Sequence, residues 1–202
     1  EGTRLGRQEI HAELISEVEG SLWTLSLVES CRVEALPCEL VRTVTALVPS
    51  VTNTDRSDEC GIVTAGIGTD GHAYVISDDS LRASPNEWGR RAIAAYNRLK
   101  GDRIIGEANN GGDLIETVLR TIDRSIPYKK VHASKTKQTR AEPVAALYEQ
   151  GRVHHVGVFP NLEDEMTTWI PGDKSPNRMD ALVWALTELM VKQSEFKVLF
   201  EA

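Results

Sequence analysis

The chain has 202 residues, of which 41% are hydrophobic and 26% charged, and it carries a formal net charge of −7. That length suits one domain, or one domain with a short appendage, and a core that stands without disulfides or metals. The acidity argues against a passive nucleic-acid-coating module, which would be basic, but it does not exclude an enzyme that holds cations among its own carboxylates.

Residues 8–30 carry Ile10, Leu14, Val18, Leu22 and Leu25 near one helical face, and Gly20 interrupts the run. A boundary is expected near residue 40, with 1–40 a connector or helical arm and 41–202 the main domain. The chain opens at Glu1-Gly2-Thr3 without an initiator Met, so a piece of a longer protein is expected. Val41–Val48 is β-branched and stops at Pro49, which predicts a strand. The polar stretch 52–59 reads as a loop, Cys60–Gly68 as a second strand, and Thr69-Asp70-Gly71 as a hairpin turn into a third, His72–Ser77.

From Ser84 the period becomes helical. Ser84-Pro85-Asn86-Glu87 combines an N-cap, a first-turn proline and a capping-box glutamate, and Gly101 is expected to end that helix. Arg103–Glu107 is a strand that ends in a carboxylate. Asp113, just past Gly111-Gly112, reads as the N-cap of a helix with Leu114, Val118, Leu119 and Ile122 inward. Lys129–Ala133 is a short strand, 134–140 a basic loop, and 141–151 a helix. An extended stretch at 153–158 follows, then short and long helices at 162–169 and 177–192. A three-strand antiparallel meander followed by alternating helices and strands predicts an α/β fold: a mixed sheet, with added parallel strands, flanked by helices. That is the outline of an RNase H-like domain.

In open α/β sheets, sites form beyond the carboxyl ends of strands, where Glu107 lies. Asp180 begins an otherwise apolar helical stretch, and an acid in such surroundings needs a partner. A divalent metal shared by Glu107 and Asp180 would satisfy both. Each acid also has a structural reading: Glu107 as a cap for the turn that follows it, Asp180 as a favourable charge near a helix start. Two-metal phosphodiesterases hold ions ~3.5–4 Å apart with bridging carboxylates. They use three or more acids, and the first would come from the end of the first meander strand.

Five stretches carry a family likeness: T-R-L-G-R-Q-E-I (3–10), V-P-S-V-T-N-T-D-R-S-D-E-C-G-I-V (48–63), G-E-A-N-N-G-G-D (106–113), R-A-E-P-V-A-A-L-Y-E-Q-G-R-V-H-H-V-G (140–157) and S-P-N-R-M-D-A-L-V-W-A (175–185). In this order they resemble the nuclease domain of the large terminase subunit of tailed bacteriophages and gene-transfer agents. The resemblance implies an RNase H-like endonuclease that cuts concatemeric double-stranded DNA for packaging, by two-metal hydrolysis with Mg²⁺ or Mn²⁺. It implies an ATPase domain in the same chain, a portal protein and a small terminase subunit as partners, and action in the cytoplasm of the infected bacterium rather than in the virion. No G-x-x-x-x-G-K-[ST] occurs, so this stretch is not expected to hydrolyse ATP.

The family pattern at the end of the first strand is Asp-Pro, and this chain has Val48-Pro49. The expected catalytic positions are therefore Glu107, Asp180 and Val48, with an impaired nuclease anticipated. Asp55 and Asp58 lie in the following loop. Asp58, where the family also tends to be acidic, is a further candidate ligand, with loop or strand capping as its structural reading. Lys135, Lys137, Arg140 and Arg178 are candidates for holding DNA phosphates, an interaction with little sequence preference. Two other functions stay open: a catalytically dead domain that binds DNA or the portal, and another RNase H-like nuclease such as a junction resolvase. The three cysteines, Cys31, Cys38 and Cys60, form no CxxC pair, and His154-His155 lack further ligands at zinc spacing. A reducing compartment is expected.

Overall fold

The structure is a computed structural model that describes residues 18–49, 59–107, 113–174 and 176–191. Among these residues, seven strands form one mixed sheet. In chain order they are β1 (Arg32–Val33), β2 (Leu40–Val48), β3 (Gly61–Gly68), β4 (Ala73–Asp78), β5 (Arg103–Glu107), β6 (Tyr128–Val131) and β7 (Val153–Val156). Across the sheet the order is β1-β7-β4-β3-β2-β5-β6. β2, β3 and β4 pair antiparallel, and the remaining pairings are parallel. The expected meander with parallel additions is therefore present.

The helices are α1 (Leu25–Ser30), α2 (Pro85–Arg98), α3 (Asp113–Ile122), α4 (Lys137–Glu149), α5 (Pro160–Thr168) and α6 (Asn177–Leu186), the last continued by a π turn over Thr187–Val191. They cover both sheet faces. Strand alternation sends Leu47, Ile62 and Ile104 to one face, against α2 and α3. It sends Val44, Ala46, Val48, Val63, Ala65 and Ile105 to the other, under α4, α5 and α6. α6 is buried all round, and its Ala181 and Ala185 let it sit close to the sheet. Such a helix packs between layers. Thr45 and Thr64, buried on neighbouring strands, satisfy each other's hydroxyls at 2.9 Å.

Several boundaries differ from the sequence reading. The boundary drawn at residue 40 is not a break in packing. Trp23, Val28 and Cys31 belong to the main core, and β1 pairs with β7, Arg32 opposite His155. Local periodicity does not reveal so short a strand. Helix α1 covers only six residues, and the part of the arm that holds Ile10 and Leu14 lies outside the described residues. Glu87 does accept from the Ser84 amide at 2.9 Å, as the capping-box pattern predicts, and it also accepts from the Ser84 hydroxyl at 2.7 Å. At the end of α2 the left-handed residue is Lys100, with φ 51°. Gly101 is needed instead because a Cβ there would press on the Tyr96 ring.

Leu114, expected inward, is 48% exposed. Ile115 and Leu119 fill the core, flanked by Val118 and Ile122. Those four share one stripe at helical spacing, and Leu114 lies off it. The basic stretch 134–140 is only partly a loop. Thr136 caps α4 by accepting from the Thr139 amide at 3.2 Å, so Lys137 to Arg140 are helical and Pro143 lies inside the helix. No helix among the described residues is long and apolar enough to cross a membrane.

Candidate functional site

The ends of β2 and β5 lie side by side. Leu47 pairs with Gly106 in parallel register, so the next residues along, Val48 and Glu107, are neighbours. Both belong to the alternation set that faces α6, since Val44, Ala46 and Ile105 point there. Val48 is 5% exposed and Glu107 9%. Pro49 then ends β2.

Asp180 comes to the same place from the first turn of α6. Three contacts hold that turn down. Gly61, at the start of β3, approaches it so closely that a Cβ would overlap the Asn177 carbonyl. The Asn177 side-chain amide donates to the Glu59 carbonyl. The Met179 amide donates to Glu165 Oε2 at 3.1 Å. Asp180 itself is 2% exposed.

The element that joins the two acids is α4. The Arg140 guanidinium lies between them, with Nη2 3.7 Å from Glu107 Oε1 and Nη1 3.4 Å from Asp180 Oδ1. Its Cζ lies over the Trp184 ring, 4.3 Å from the centroid. One turn earlier, Lys137 Nζ lies 2.7 Å from Asp180 Oδ2. The helical spacing of Lys137 and Arg140 is what lets both cations reach one carboxylate. Arg140 Nε and Nη1 are nevertheless buried without a hydrogen-bond partner, so the guanidinium is held by charge and stacking more than by directed bonds.

The expected phosphate contacts are distributed otherwise. Lys135 is exposed and Lys137 half-buried. Arg140, at 7% exposure, belongs to the interior of the site rather than to a DNA-facing surface. Arg178 also turns inward. It pairs with Glu59, with Asp78 at 2.6 Å and with Glu165 at 3.4 Å. A phosphate contact does not fit that placement, because burial among three carboxylates has already engaged its donors. Lys129, upstream of the basic stretch, sits on the buried Glu188 with Nζ–O distances of 2.8 and 2.9 Å. Asp55 and Asp58 lie outside the described residues, as does the turn that follows Glu107.

Sequence reasoning missed the role of Arg140 between the acids and the seat that Gly61 offers to α6. The first was hidden because residues 134–140 read as a basic loop, whereas the helix starts at Lys137. The second had no sequence signal, since the approach is to a residue distant along the chain.

A two-metal centre needs at least three oxygen-bearing groups around the ions. The described residues bring two, Glu107 and Asp180, with an apolar side chain at 48 and a guanidinium between them. Among the described residues, no group of three or more His, Cys, Asp or Glu is placed to hold a metal. These residues, taken alone, do not fit the implied metal pair.

The profile of the Terminase RNaseH-like domain family matches residues 49–192, and the chain belongs to that family. No curated protein sequence matches it. Among solved structures, the large terminase nuclease of the thermophilic phage G20c superposes with a TM-score of 0.58 at 15% identity, over 84% of this chain and 98% of that one. The human cytomegalovirus terminase nuclease domain gives 0.60 at 13% identity, over 83% and 94%. The large terminase of bacteriophage HK97 gives 0.64 at 12% identity, and the match spans 83% of this chain but 43% of that one. Structures of the G20c nuclease with bound cobalt, magnesium and zinc also match. At these identities the likeness is one of fold, that of RNase H-like terminase nucleases.

Proposed function

We propose that this chain is the nuclease domain of a DNA-packaging terminase whose catalytic centre is built on Glu107 and Asp180 and is impaired by Val48. The observation that carries the reading is the convergence of the two acids. One comes from the end of β5 and one from the first turn of α6, and each lies within 4 Å of the same guanidinium. Burying two carboxylates side by side is costly unless positive charge compensates them. A nuclease centre is a setting in which that cost has a chemical use, because divalent ions held by such acids activate water and stabilise the leaving oxygen.

The substrate under this reading is double-stranded DNA. The remaining partners are the ATPase domain of the same chain, the portal and the small terminase subunit, and the place of action is the cytoplasm of an infected bacterium. Mg²⁺ or Mn²⁺ is the ion class, because oxygen ligands suit hard cations. Val48 limits the activity. An aspartate at that position would stand beside Glu107 on the face under α6 and would supply a third carboxylate.

A specific observation also favours the second reading, a domain that binds DNA or the portal without cutting. Val48 is buried and apolar, and the charge of the remaining acids is balanced by Lys137 and Arg140. Plasmid cleavage with Mn²⁺ by the chain as it stands and by Val48→Asp separates the two. Cleavage by the V48D protein, lost again on adding D180N, is the outcome expected for an impaired nuclease. Inactivity of V48D, with its fold intact, would leave only the binding role.

A further inference from the structure

Two buried carboxylates draw a divalent cation only to the extent that their charge is uncompensated. Among the described residues, two cations of the chain stand against the two acids. Lys137 Nζ is 2.7 Å from Asp180, and Arg140 lies 3.4 Å from Asp180 and 3.7 Å from Glu107. We propose that Arg140, with Lys137 beside it, is a built-in counter-ion that takes the electrostatic place of a metal between Glu107 and Asp180 and keeps the divalent-ion affinity of this chain low.

The geometry is that of a substitute cation. A guanidinium has five donors and no lone pair to offer a metal, so it competes for the carboxylate oxygens and repels an ion approaching them. At 7% exposure the charge of Arg140 is poorly screened by solvent. Stacking on Trp184, at 4.3 Å, fixes the guanidinium over the gap. Its distances to both acids exceed those of good hydrogen bonds, and Nε and Nη1 have no such partner. Arg140 therefore acts on the acids chiefly through its field. The apolar Val48 fits the same arrangement, because a third acid would leave the pocket one negative charge in excess of these two cations.

The inference rests on reading Glu107 and Asp180 as the acids of a nuclease centre. It is tested by Mn²⁺ titration, with free ion followed by electron paramagnetic resonance. The proteins are the chain as it stands, Lys137→Gln, Arg140→Gln and Arg140→Lys. K137Q and R140Q are expected to bind Mn²⁺ at least about tenfold more tightly than the parent, because each removes a unit charge a few ångströms from the ion. R140K, which keeps the charge, is expected to stay near the parent. Adding D180N to either tightened variant is expected to abolish the gain.

Should R140Q fail to fold, K137Q carries the test, since its side chain is 40% exposed. Unchanged or weaker Mn²⁺ binding in the folded variants overturns the counter-ion role, and so does a gain that survives D180N. The underlying reading is tested separately, by the cleavage activity of V48D. If V48D cuts plasmid while K137Q and R140Q leave Mn²⁺ affinity unaltered, the nuclease centre stands and the counter-ion does not.

Discussion

The backbone carbonyl of Asn177 lies directly over Gly61, so the first turn of α6 rests on the start of β3 with no room for a side chain between them. That contact sets how far Asp180 stands from the ends of β2 and β5. Gly61→Ala is expected to push α6 outward and to destabilise the fold by roughly 3 kcal/mol, the upper range for overpacking, because the clash is with main chain rather than a movable side chain. Chemical denaturation of the two proteins measures it. A loss below about 0.5 kcal/mol would mean that α6 is not seated there.

Arg178 ties the same turn to β4 through Asp78, at 2.6 Å, and to Glu59 and Glu165. Removing one partner of a buried ion pair leaves an uncompensated charge, so Arg178→Gln is expected to cost about 3 kcal/mol of stability. The slope of DNA affinity against salt is expected to stay unchanged. A phosphate-contacting arginine would instead lower that slope by about 1. Salt titrations of DNA binding, compared with Lys135→Gln, decide between the two.

Behind β7 a buried relay joins Tyr148, His155, Glu163 and Arg32. Tyr148 Oη lies 2.8 Å from His155 Nε2, and His155 Nδ1 lies 2.9 Å from Glu163 Oε1. A carboxylate only accepts, so Nδ1 carries the proton and Nε2 accepts from the tyrosine. Burial holds His155 below its ordinary 6.5. Burial pushes the Glu163 carboxyl up, but hydrogen bonds from His155 and Arg32 prevail and bring it from 4.5 to about 2. Both shifts are downward, so the unfolded chain takes up protons first and stability falls as the medium is acidified. The loss starts below pH 6.5 through His155 and continues from 4.5 toward about 2 through Glu163. Melting curves between pH 7 and pH 3 are expected to fall steadily, and Glu163→Gln is expected to flatten the lower part.

Glu165 behaves oppositely. Burial raises it from 4.5 to about 7, against the Met179 amide and Arg178. Between those values the folded chain binds the extra proton, so stability declines as pH rises from 4.5 to about 7. Glu165→Gln keeps an acceptor for the Met179 amide and removes the slope. It is expected to be more stable than the parent at pH 8 and to lose that advantage at pH 4. Denaturant unfolding at the two pH values checks it, and an equal difference at both would contradict the assignment.

On α3, Leu114 and Ile115 are adjacent in sequence and opposite in environment, 48% and 2% exposed. Ile115→Ala is expected to cost about 2–4 kcal/mol, whereas Leu114→Ala is expected to stay within about 0.5 kcal/mol. Thermal melts of the two single variants measure the contrast.

That pair also marks how far the sequence could be read. Local pattern was enough for the strands of the meander, the capping box at Ser84, the strand that ends at Glu107 and the helix that starts near Asp180. Each is written within about ten neighbouring residues through alternation, helical period or cap chemistry. The placement of Glu107 at a strand end and of Asp180 near a helix start, with Val48 closing the first meander strand, was likewise legible.

Other features depended on contacts between residues far apart in the chain, which no local period encodes. β1 is a strand only because β7 offers it a ladder, and so the arm before residue 40 joins the core. Arg178 looked available for DNA until Asp78 and Glu59 were seen to enclose it. Above all, Arg140 became part of the site only when α4 laid its first turns across α6. Sequence fixes which charges a chain carries and where along it they fall. Which of them meet, and hence whether a carboxylate faces a metal, a phosphate or a guanidinium, follows from how the helices pack on the sheet.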